Sequence, residues 1–276
     1  MNTLILKPII ALFCLAMLTA CGGGDTTPTV TDIQGGNLSY GRLAQFEFFG
    51  TYLDKSAGLS ANIPNCTEQT PIYISPTQQV LRCTVTTIGD LNVQVLNGAG
   101  AVIFSKTFTV PAPQVALVTS MGNIVVELNP TAAPLSVNNF LKYVQNGFYS
   151  DTLFHRIIAG FVVQGGGYTS GFVVQPGLLA AIPLESNNGL SNLRGTLAMA
   201  RTADPNSATS QFYFNLADNL SLDYRDANSP GYAVFGKIVQ GLDIMDLIGA
   251  VATNTLNGVP DVPVTDVLVK TALRIR

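Results

Sequence analysis

The stretch FHRIIAGFVVQGGG, residues 154 to 167, constrains this chain more than any other. It places one arginine, Arg156, and one glutamine, Gln164, among large apolar side chains and ends in three glycines. If Phe154 to Ile158 is a strand, alternation puts Phe154, Arg156 and Ile158 on one face. A guanidinium beside an aromatic ring suits a concave site that holds an amide carbonyl next to an apolar ring.

This run resembles the signature of the cyclophilin-type peptidyl-prolyl cis-trans isomerases, and four later segments resemble the family's other site motifs in order and spacing. They are GTLAMAR at 195–201, SQFYFN at 210–215, Leu222-Asp223, and GYAVFG at 231–236. The likeness runs from about Gln114 to Arg276 and is greatest to bacterial periplasmic members. It implies an eight-stranded antiparallel β-barrel capped by two helices, and peptidyl-prolyl isomerase activity that needs no cofactor and no metal.

The resemblance also assigns roles to individual residues. It places Arg156 and Gln164 in the catalytic group, with Gln164 and Gln211 hydrogen-bonding the substrate backbone. Arginine suits this role because its guanidinium stays charged and offers several donors in a rigid fork. The proline pocket that it implies is formed by Phe161, Val162, Tyr213, Leu222 and Tyr232, and the groove for extended peptide by Ala200 and Arg201. Taken singly, Arg156 could form a salt bridge and each apolar residue could be ordinary core.

Four positions depart from patterns in the family. Tyr213 stands where the family usually has Phe, so its buried hydroxyl needs a partner. Val162 stands where many relatives have Met, which widens the pocket slightly. Ser221 falls where cyclosporin-sensitive relatives carry Trp, so we expect weak cyclosporin binding. Arg201 replaces an Asn of eukaryotic members, but bacterial members share it.

Other function classes find little support in the sequence. A serine hydrolase is disfavoured because no nucleophile elbow is present, and a metal site because there is no cluster of His and Cys. His155 is the only histidine, and on the strand face opposite Arg156 we expect it to be structural. Gly165-Gly166-Gly167 fails the dinucleotide-binding spacing because position 170 is Ser. The net charge of −3 and the absence of a Lys/Arg run disfavour nucleic-acid binding.

The N-terminus is predicted to be a lipoprotein signal peptide, residues 1–20. Lys7 precedes an apolar run, Pro8 to Leu18, that is too short to span a bilayer. Leu18-Thr19-Ala20-Cys21 resembles a bacterial lipobox, which implies acylation of Cys21 and lasting attachment by two or more chains. Gly22 favours sorting to the outer membrane. The alternative is an ordinary signal peptide in which Cys21 has no role.

Residues 21–36, rich in Gly, Thr, Pro and Asp, are predicted to be a tether, and residues 37–110 a separate small domain. Patterns typical of strands occur at 45–48, 82–86, 91–95 and 102–110, with Asn97-Gly98 as a hairpin turn. Short strands separated by turns favour an antiparallel β-sandwich, with the immunoglobulin-like arrangement as a candidate.

The number of cysteines is consistent with an exported protein. Cys14 leaves with the signal peptide and Cys21 is acylated, so Cys66 and Cys83 remain as an even pair. In an exported protein we predict a disulfide between these two. The alternative is two buried free thiols.

Pro111-Ala112-Pro113 is predicted to be a stiff hinge before an isomerase domain at 114–276. Its first strands are expected at 115–120 and 123–128. A helix should begin at Pro134 and end at Gly147, and a second helix should cover 242–251.

Two functions follow from these features. The first is an envelope lipoprotein, monomeric and anchored on the periplasmic side, that accelerates rotation about X–Pro bonds of exported polypeptides. The alternative is a client-binding or holdase lipoprotein that uses the same groove with little turnover.

Overall fold

The computed structural model of the chain describes residues 27–55 and 59–276. These residues fall into two units, of which the first ends at Pro111 and the second runs from Ala112 to Arg276. Cys21, the predicted signal peptide and the start of the predicted tether lie outside the described residues. Within the described ranges, no helix has both the length and the apolar composition needed to cross a membrane.

The described residues of the first unit form seven strands in two antiparallel sheets. The strands are β1 Thr29–Gly36, β2 Leu43–Thr51, β3 Ser60–Asn62, β4 Cys66–Ile74, β5 Gln78–Val85, β6 Gly89–Leu96 and β7 Val102–Val110. One sheet has the order β1-β2-β5-β4 and the other β3-β6-β7. This is the order of a constant-type immunoglobulin sandwich, in which strands A, B, E and D face C, F and G.

Alternation along the strands explains why the two sheets pack together. In β2, Phe46 and Phe48 are buried, and in β6, Leu91 and Val93 are buried. In each strand, a more exposed residue lies between the two buried ones. A period of two places such residues on one face of the sheet. They meet in a single apolar core, and each large side chain removed from water contributes roughly 1.5–3 kcal/mol.

The predicted tether extends too far, because residues 29–36 form strand β1 rather than a linker. Ile33 is fully buried in the core of the sandwich, and the backbone of β1 pairs with β2 from Thr29 to Gly36. The prediction was wrong here because the segment is mostly polar or glycine, with Ile33 its one fully buried side chain and Val30 only partly buried against the core. Pairing with a neighbouring strand satisfies its backbone groups without an apolar sequence.

The predicted disulfide is confirmed by the structure, which joins Cys66 to Cys83. The bond links the first residue of β4 to β5, its neighbour in the sheet, and both cysteines are buried. The sequence separation is 17 residues. Closing a loop of this size stabilises a fold by roughly 3 kcal/mol on the chain-entropy model.

Replacing both cysteines with serine should therefore lower the free energy of unfolding of the first unit by about 3 kcal/mol. Hydrogen exchange followed by mass spectrometry resolves peptides of the two units separately. We expect faster exchange across residues 29–110 and unchanged exchange across residues 112–276. Equal acceleration in both units would contradict this assignment of the disulfide's effect.

The second unit contains thirteen strands and two α-helices, all within the described residues. The strands are β8 Gln114–Thr119, β9 Gly122–Leu128, β10 Thr152–Leu153, β11 Arg156–Ile158, β12 Val162–Gly165, β13 Tyr168–Thr169, β14 Val173–Val174, β15 Thr196–Met199, β16 Phe212–Asn215, β17 Val234–Gln240, β18 Thr253–Leu256, β19 Val259–Pro263 and β20 Leu268–Arg274. The helices are α1 Pro134–Gln145 and α2 Leu242–Gly249, close to the predicted ranges.

Eleven of these strands form one antiparallel sheet, in the order β11-β12-β16-β15-β17-β9-β8-β20-β10-β13-β14. Eight of them have three or more residues, while β10, β13 and β14 have two each. Only Phe154 and His155 separate β10 from β11 along the chain, although β11 is first and β10 ninth in the sheet. The sheet must therefore curl until its distant strands meet, which confirms the predicted mainly-β class.

The prediction that Phe154 shares a strand and a face with Arg156 is wrong. The strand begins only at Arg156, and the Phe154 amide donates to the Val267 carbonyl instead. The Phe154 ring packs edge-on against Phe212 and Phe214 in the core. The chain crosses between two distant strands of the sheet at this point, and the crossing breaks the alternation.

Helix α1 is capped from a distant segment. Its N-cap residue is Ala133, which makes no side-chain capping bond. The Glu185 carboxylate accepts hydrogen bonds from the amides of Leu135 and Ser136, at 2.8 and 2.7 Å. A carboxylate at a helix N-terminus is also favoured by the helix dipole. The contact fastens the segment that leads to residues 190–192, which belong to the site described next.

Candidate active site

One row of paired residues crosses the curled sheet and supplies most of the site. Arg156 pairs with Gln164, Gln164 with Tyr213, Tyr213 with Ala198, and Ala198 with Val234. Residues that pair across neighbouring strands project from the same face of a sheet. The next row faces the core and is buried: Ile157, Val163, Phe214 and Leu197.

A cluster of apolar side chains lies at one end of this row, where the family resemblance places the proline pocket. Its buried members are Val162, Ala198, Tyr213 and Val234, with Phe161, Leu190, Ala200, Leu222 and Tyr232 packed against them. The structure thus brings together all five residues predicted to form a proline pocket.

Three members of this cluster were not predicted from the sequence. Ala198 and Val234 lie inside the quoted motifs and could have been found by extending the strand alternation. Leu190 lies in a segment without regular structure, and nothing around it in the sequence marks it.

The guanidinium of Arg156 lies at the other end of the row. Its Nη1 atom is 3.5 Å from Oε1 of Gln164, and Nε2 of Gln164 donates to Oε1 of Gln211 at 2.9 Å. Its Nε atom lies 3.8 Å from the carboxylate of Asp261, a residue that the sequence did not point to. The Arg156 side chain is 40% exposed. The site therefore offers an accessible cation beside two amide side chains and an apolar pocket.

The glycine run permits this arrangement by close packing. A Cβ atom on Gly167 would lie 2.6 Å from Nε2 of Gln211, and one on Gly166 would lie 2.9 Å from the Ser210 carbonyl oxygen. Gly166 also has a φ of +82°, which glycine adopts readily. A larger residue at position 166 would meet the Ser210 backbone, and one at position 167 would displace the Gln211 side chain.

The hydroxyl of Tyr213 has the partner that its burial requires. It donates to Oδ1 of Asn192 at 2.7 Å. Asn192 is itself fully buried, and its amide nitrogens donate to the Asp223 carboxylate at 2.7 and 2.9 Å. Burial raises the pKa of Tyr213, so the hydroxyl remains protonated and acts as a donor. The network joins β16, which carries Tyr213, to the turn that carries Leu222.

Arg201 packs against Tyr232, a member of the apolar cluster. Its guanidinium lies over the ring of Tyr232, 4.6 Å from the ring centroid, and its Nε donates to the Gly231 carbonyl at 3.0 Å. The Tyr232 ring in turn meets Tyr213 edge-on at 5.8 Å. The amide of Ala200 donates to the Gln211 carbonyl at 3.0 Å. Both residues predicted to line the peptide groove therefore lie beside the pocket.

His155 lies apart from these polar contacts. It is buried, and its ring meets Tyr168 edge-on at 4.8 Å. Burial lowers its pKa to about 4, so the imidazole is neutral at pH 7. Across the described part of the chain, no group of three or more His, Cys, Asp or Glu residues is placed to hold a metal ion.

Comparisons with known proteins agree with this geometry. The family model described as cyclophilin type peptidyl-prolyl cis-trans isomerase/CLD matches residues 114–272. The chain is 45% identical over 174 residues to peptidyl-prolyl cis-trans isomerase A of Dickeya dadantii, covering 63% of this chain and 90% of that protein. It is 46% identical over 154 residues to peptidyl-prolyl cis-trans isomerase B of Escherichia coli, covering 55% of this chain and 93% of the relative.

A solved structure shares the fold. The cyclophilin-type isomerase of Cryptosporidium parvum superposes with a TM-score of 0.50 at 23% identity, covering 60% of this chain and 98% of that one. The chain belongs to the cyclophilin-type peptidyl-prolyl cis-trans isomerases. It is accordingly an enzyme of the peptidyl-prolyl isomerase class.

Replacing Tyr213 with Phe should remove one buried hydrogen bond and leave the pocket's shape intact. We expect the free energy of unfolding of the second unit to fall by about 1 kcal/mol. The effect stays small because Asn192 still accepts from Asn215, at 3.2 Å. Urea denaturation measures the change, with the exposed Tyr224→Phe as a control that should have no effect. A loss as large as that of a buried charge would contradict the hydrogen-bond assignment.

Proposed function

We propose that this enzyme accelerates rotation about X–Pro bonds of exported polypeptides while it is anchored in the bacterial envelope. The observation that carries the proposal is the accessible Arg156 guanidinium in one row with the apolar pocket around Tyr213. A cation in one row with apolar side chains of this kind fits an apolar ring flanked by a polarisable amide. A prolyl peptide presents both groups together.

The mechanism needs binding and electrostatics but no nucleophile. Amide resonance sets a barrier of roughly 18–20 kcal/mol to rotation about a peptide bond. In the proposed complex, the pocket holds the proline ring while the preceding carbonyl turns. Arg156 donates to the prolyl nitrogen as it becomes pyramidal, which weakens the resonance. Because the nitrogen accepts a hydrogen bond only in the twisted state, the interaction stabilises the transition state selectively.

The amides of Gln164 and Gln211 support this step. They are already joined to each other at 2.9 Å, and each keeps hydrogen-bonding capacity for the backbone of an extended peptide. Gln164 also lies within 3.5 Å of Nη1 of Arg156. Substrate binding and guanidinium placement are therefore linked through one side chain.

Replacing Arg156 with Ala should lower the catalysed exchange rate of a short X–Pro peptide by about a hundredfold, the usual effect of removing a key transition-state donor. Arg156→Lys keeps the charge but loses the fork, so its rate should lie between the two. Exchange spectroscopy by NMR measures the rate directly. Arg194→Ala is the matched control because Arg194 forms an exposed ion pair with Asp246 at 2.7 Å and is neither a predicted site residue nor a member of the apolar cluster.

The same measurement distinguishes an isomerase from a protein that binds prolyl peptides with little turnover. Exchange that the wild type accelerates and Arg156→Ala does not supports the proposed mechanism. Exchange that neither protein accelerates, although both bind the peptide, would favour a client-binding lipoprotein. Equal acceleration by both would remove Arg156 from the mechanism.

The envelope location rests on the N-terminal sequence, where the lipobox at 18–21 follows an apolar signal core. The disulfide of the first unit supports an oxidising compartment. We propose that acylated Cys21 holds the protein, as a monomer, on the periplasmic side of the outer membrane. Proline-containing polypeptides that fold there would be its substrates.

Cys21→Ser should release the protein from the membrane fraction, because the acylated side chain is the proposed anchor. Fractionation of expressing cells and mass spectrometry of the mature N-terminus test this. Cys14→Ser is the control, since Cys14 lies within the predicted signal peptide and its loss should change nothing. A Cys21→Ser protein that stays in the membrane fraction would contradict the anchor.

A further inference from the structure

The carboxylate of Asp261 lies beside the proposed catalytic arginine. Asp261 belongs to the hairpin of β18 and β19, and β19 packs against β11, which carries Arg156. Its Oδ2 atom is 3.8 Å from Nε of Arg156, and the side chains are 35% and 40% exposed. The pair is therefore partly solvated and lies within the site.

The backbone holds Asp261 in an uncommon conformation. Its φ is +63°, a left-handed value that few residues other than glycine adopt. The next residue, Val262, is buried and pairs with Asn254 across the hairpin. Pro263 is also buried and pairs with Thr253. These anchors fix the direction in which the Asp261 side chain leaves the strand.

Arg156 has no other charged partner among the described residues. Its contact with Gln164 is 3.5 Å long, at the outer limit of a hydrogen bond. Gln164 meets Nη1 and Asp261 meets Nε, so the two partners hold different atoms of the guanidinium. In the described part of the chain, Nη2 has no partner. A guanidinium held in this way keeps both N–H groups of Nη2 for a ligand.

We infer that Asp261 is a positioning residue for the isomerase reaction. It attracts the Nε edge of Arg156, limits rotation of the guanidinium, and leaves Nη2 available to the substrate. The inference rests on the proposed role of Arg156. Asp261 acts through the arginine and has no contact with the reacting atoms in this scheme, so its loss should lower turnover more than peptide affinity.

Asp261→Asn is the sharpest test. Asparagine has the same shape and tolerates left-handed backbone, so the hairpin should keep its fold while the charge is removed. We expect the catalysed exchange rate at saturating peptide to fall about threefold to fivefold, the range of a partly exposed ion pair. Peptide affinity, measured by titration, should change by less than about twofold.

Two controls separate charge from structure. Asp246→Asn removes the same charge from the exposed pair with Arg194 and should leave the rate unchanged. Asp261→Gly removes the carboxylate and also relieves the left-handed backbone. It should lose as much activity as Asp261→Asn if the carboxylate is what matters. Full activity of the glycine variant would overturn the inference.

Salt dependence and NMR provide two measurements that should not change if Asp261 has a purely structural role. From about 0.1 M to about 1 M salt the Debye length falls from roughly 10 Å to roughly 3 Å, so the difference between wild type and Asp261→Asn should narrow. The Nε–H resonance of Arg156, assigned by its absence in Arg156→Ala, should shift and exchange faster with water in Asp261→Asn.

The outcomes distinguish this inference from the proposed function. If Arg156→Ala is fully active, the proposed role of Arg156 fails and the inference fails with it. If Arg156→Ala is inactive but Asp261→Asn keeps the wild-type rate and an unchanged Nε–H resonance, only the inference is overturned. A lowered rate with a shifted resonance and retained peptide affinity supports both.

Discussion

The site depends on the register of the curled sheet. Arg156, Gln164, Tyr213, Ala198 and Val234 pair across four strand-to-strand contacts, so all five project from the same face. Because side chains alternate with a period of two, a slip of one residue in any of these pairs would send a functional side chain into the core. The buried row beside them makes that slip costly, since it would expose Ile157, Val163 or Phe214 to water. The packing of the core thus fixes the position of the proposed catalytic group.

The loops around the sheet are held by polar contacts. Glu185 caps helix α1 from a distant segment, and Asn192 joins Tyr213 to Asp223. The Asn192 contacts satisfy groups that would otherwise be buried without partners, which makes them expensive to break. They fix the segment that contributes Leu190 and the loop that contributes Leu222. A pocket fixed in this way suits the proposed catalysis, in which one ring is held while an adjacent bond turns.

Much of this could be predicted from the sequence, because several spaced motifs carry the family resemblance and each motif falls on a strand or a loop of the site. The errors have physical causes. Phe154 was placed on the wrong face because the closure of the sheet interrupts its strand, which a local pattern cannot show. Strand β1 was taken for a tether because only Ile33 along it is a large buried residue. Asp261 and Leu190 reach the site through tertiary packing of a hairpin and a loop, so no local signal marks them.

The most direct test of the central claim is an NMR measurement of where a bound X–Pro peptide lies while it exchanges. Intermolecular nuclear Overhauser effects should connect the proline ring protons to the aromatic rings of Tyr213 and Tyr232, under conditions in which the wild-type chain accelerates exchange. That result would place the turning bond in the pocket that shares a row with Arg156. Accelerated exchange with no such contacts to either ring would show that catalysis occurs elsewhere and would contradict the account.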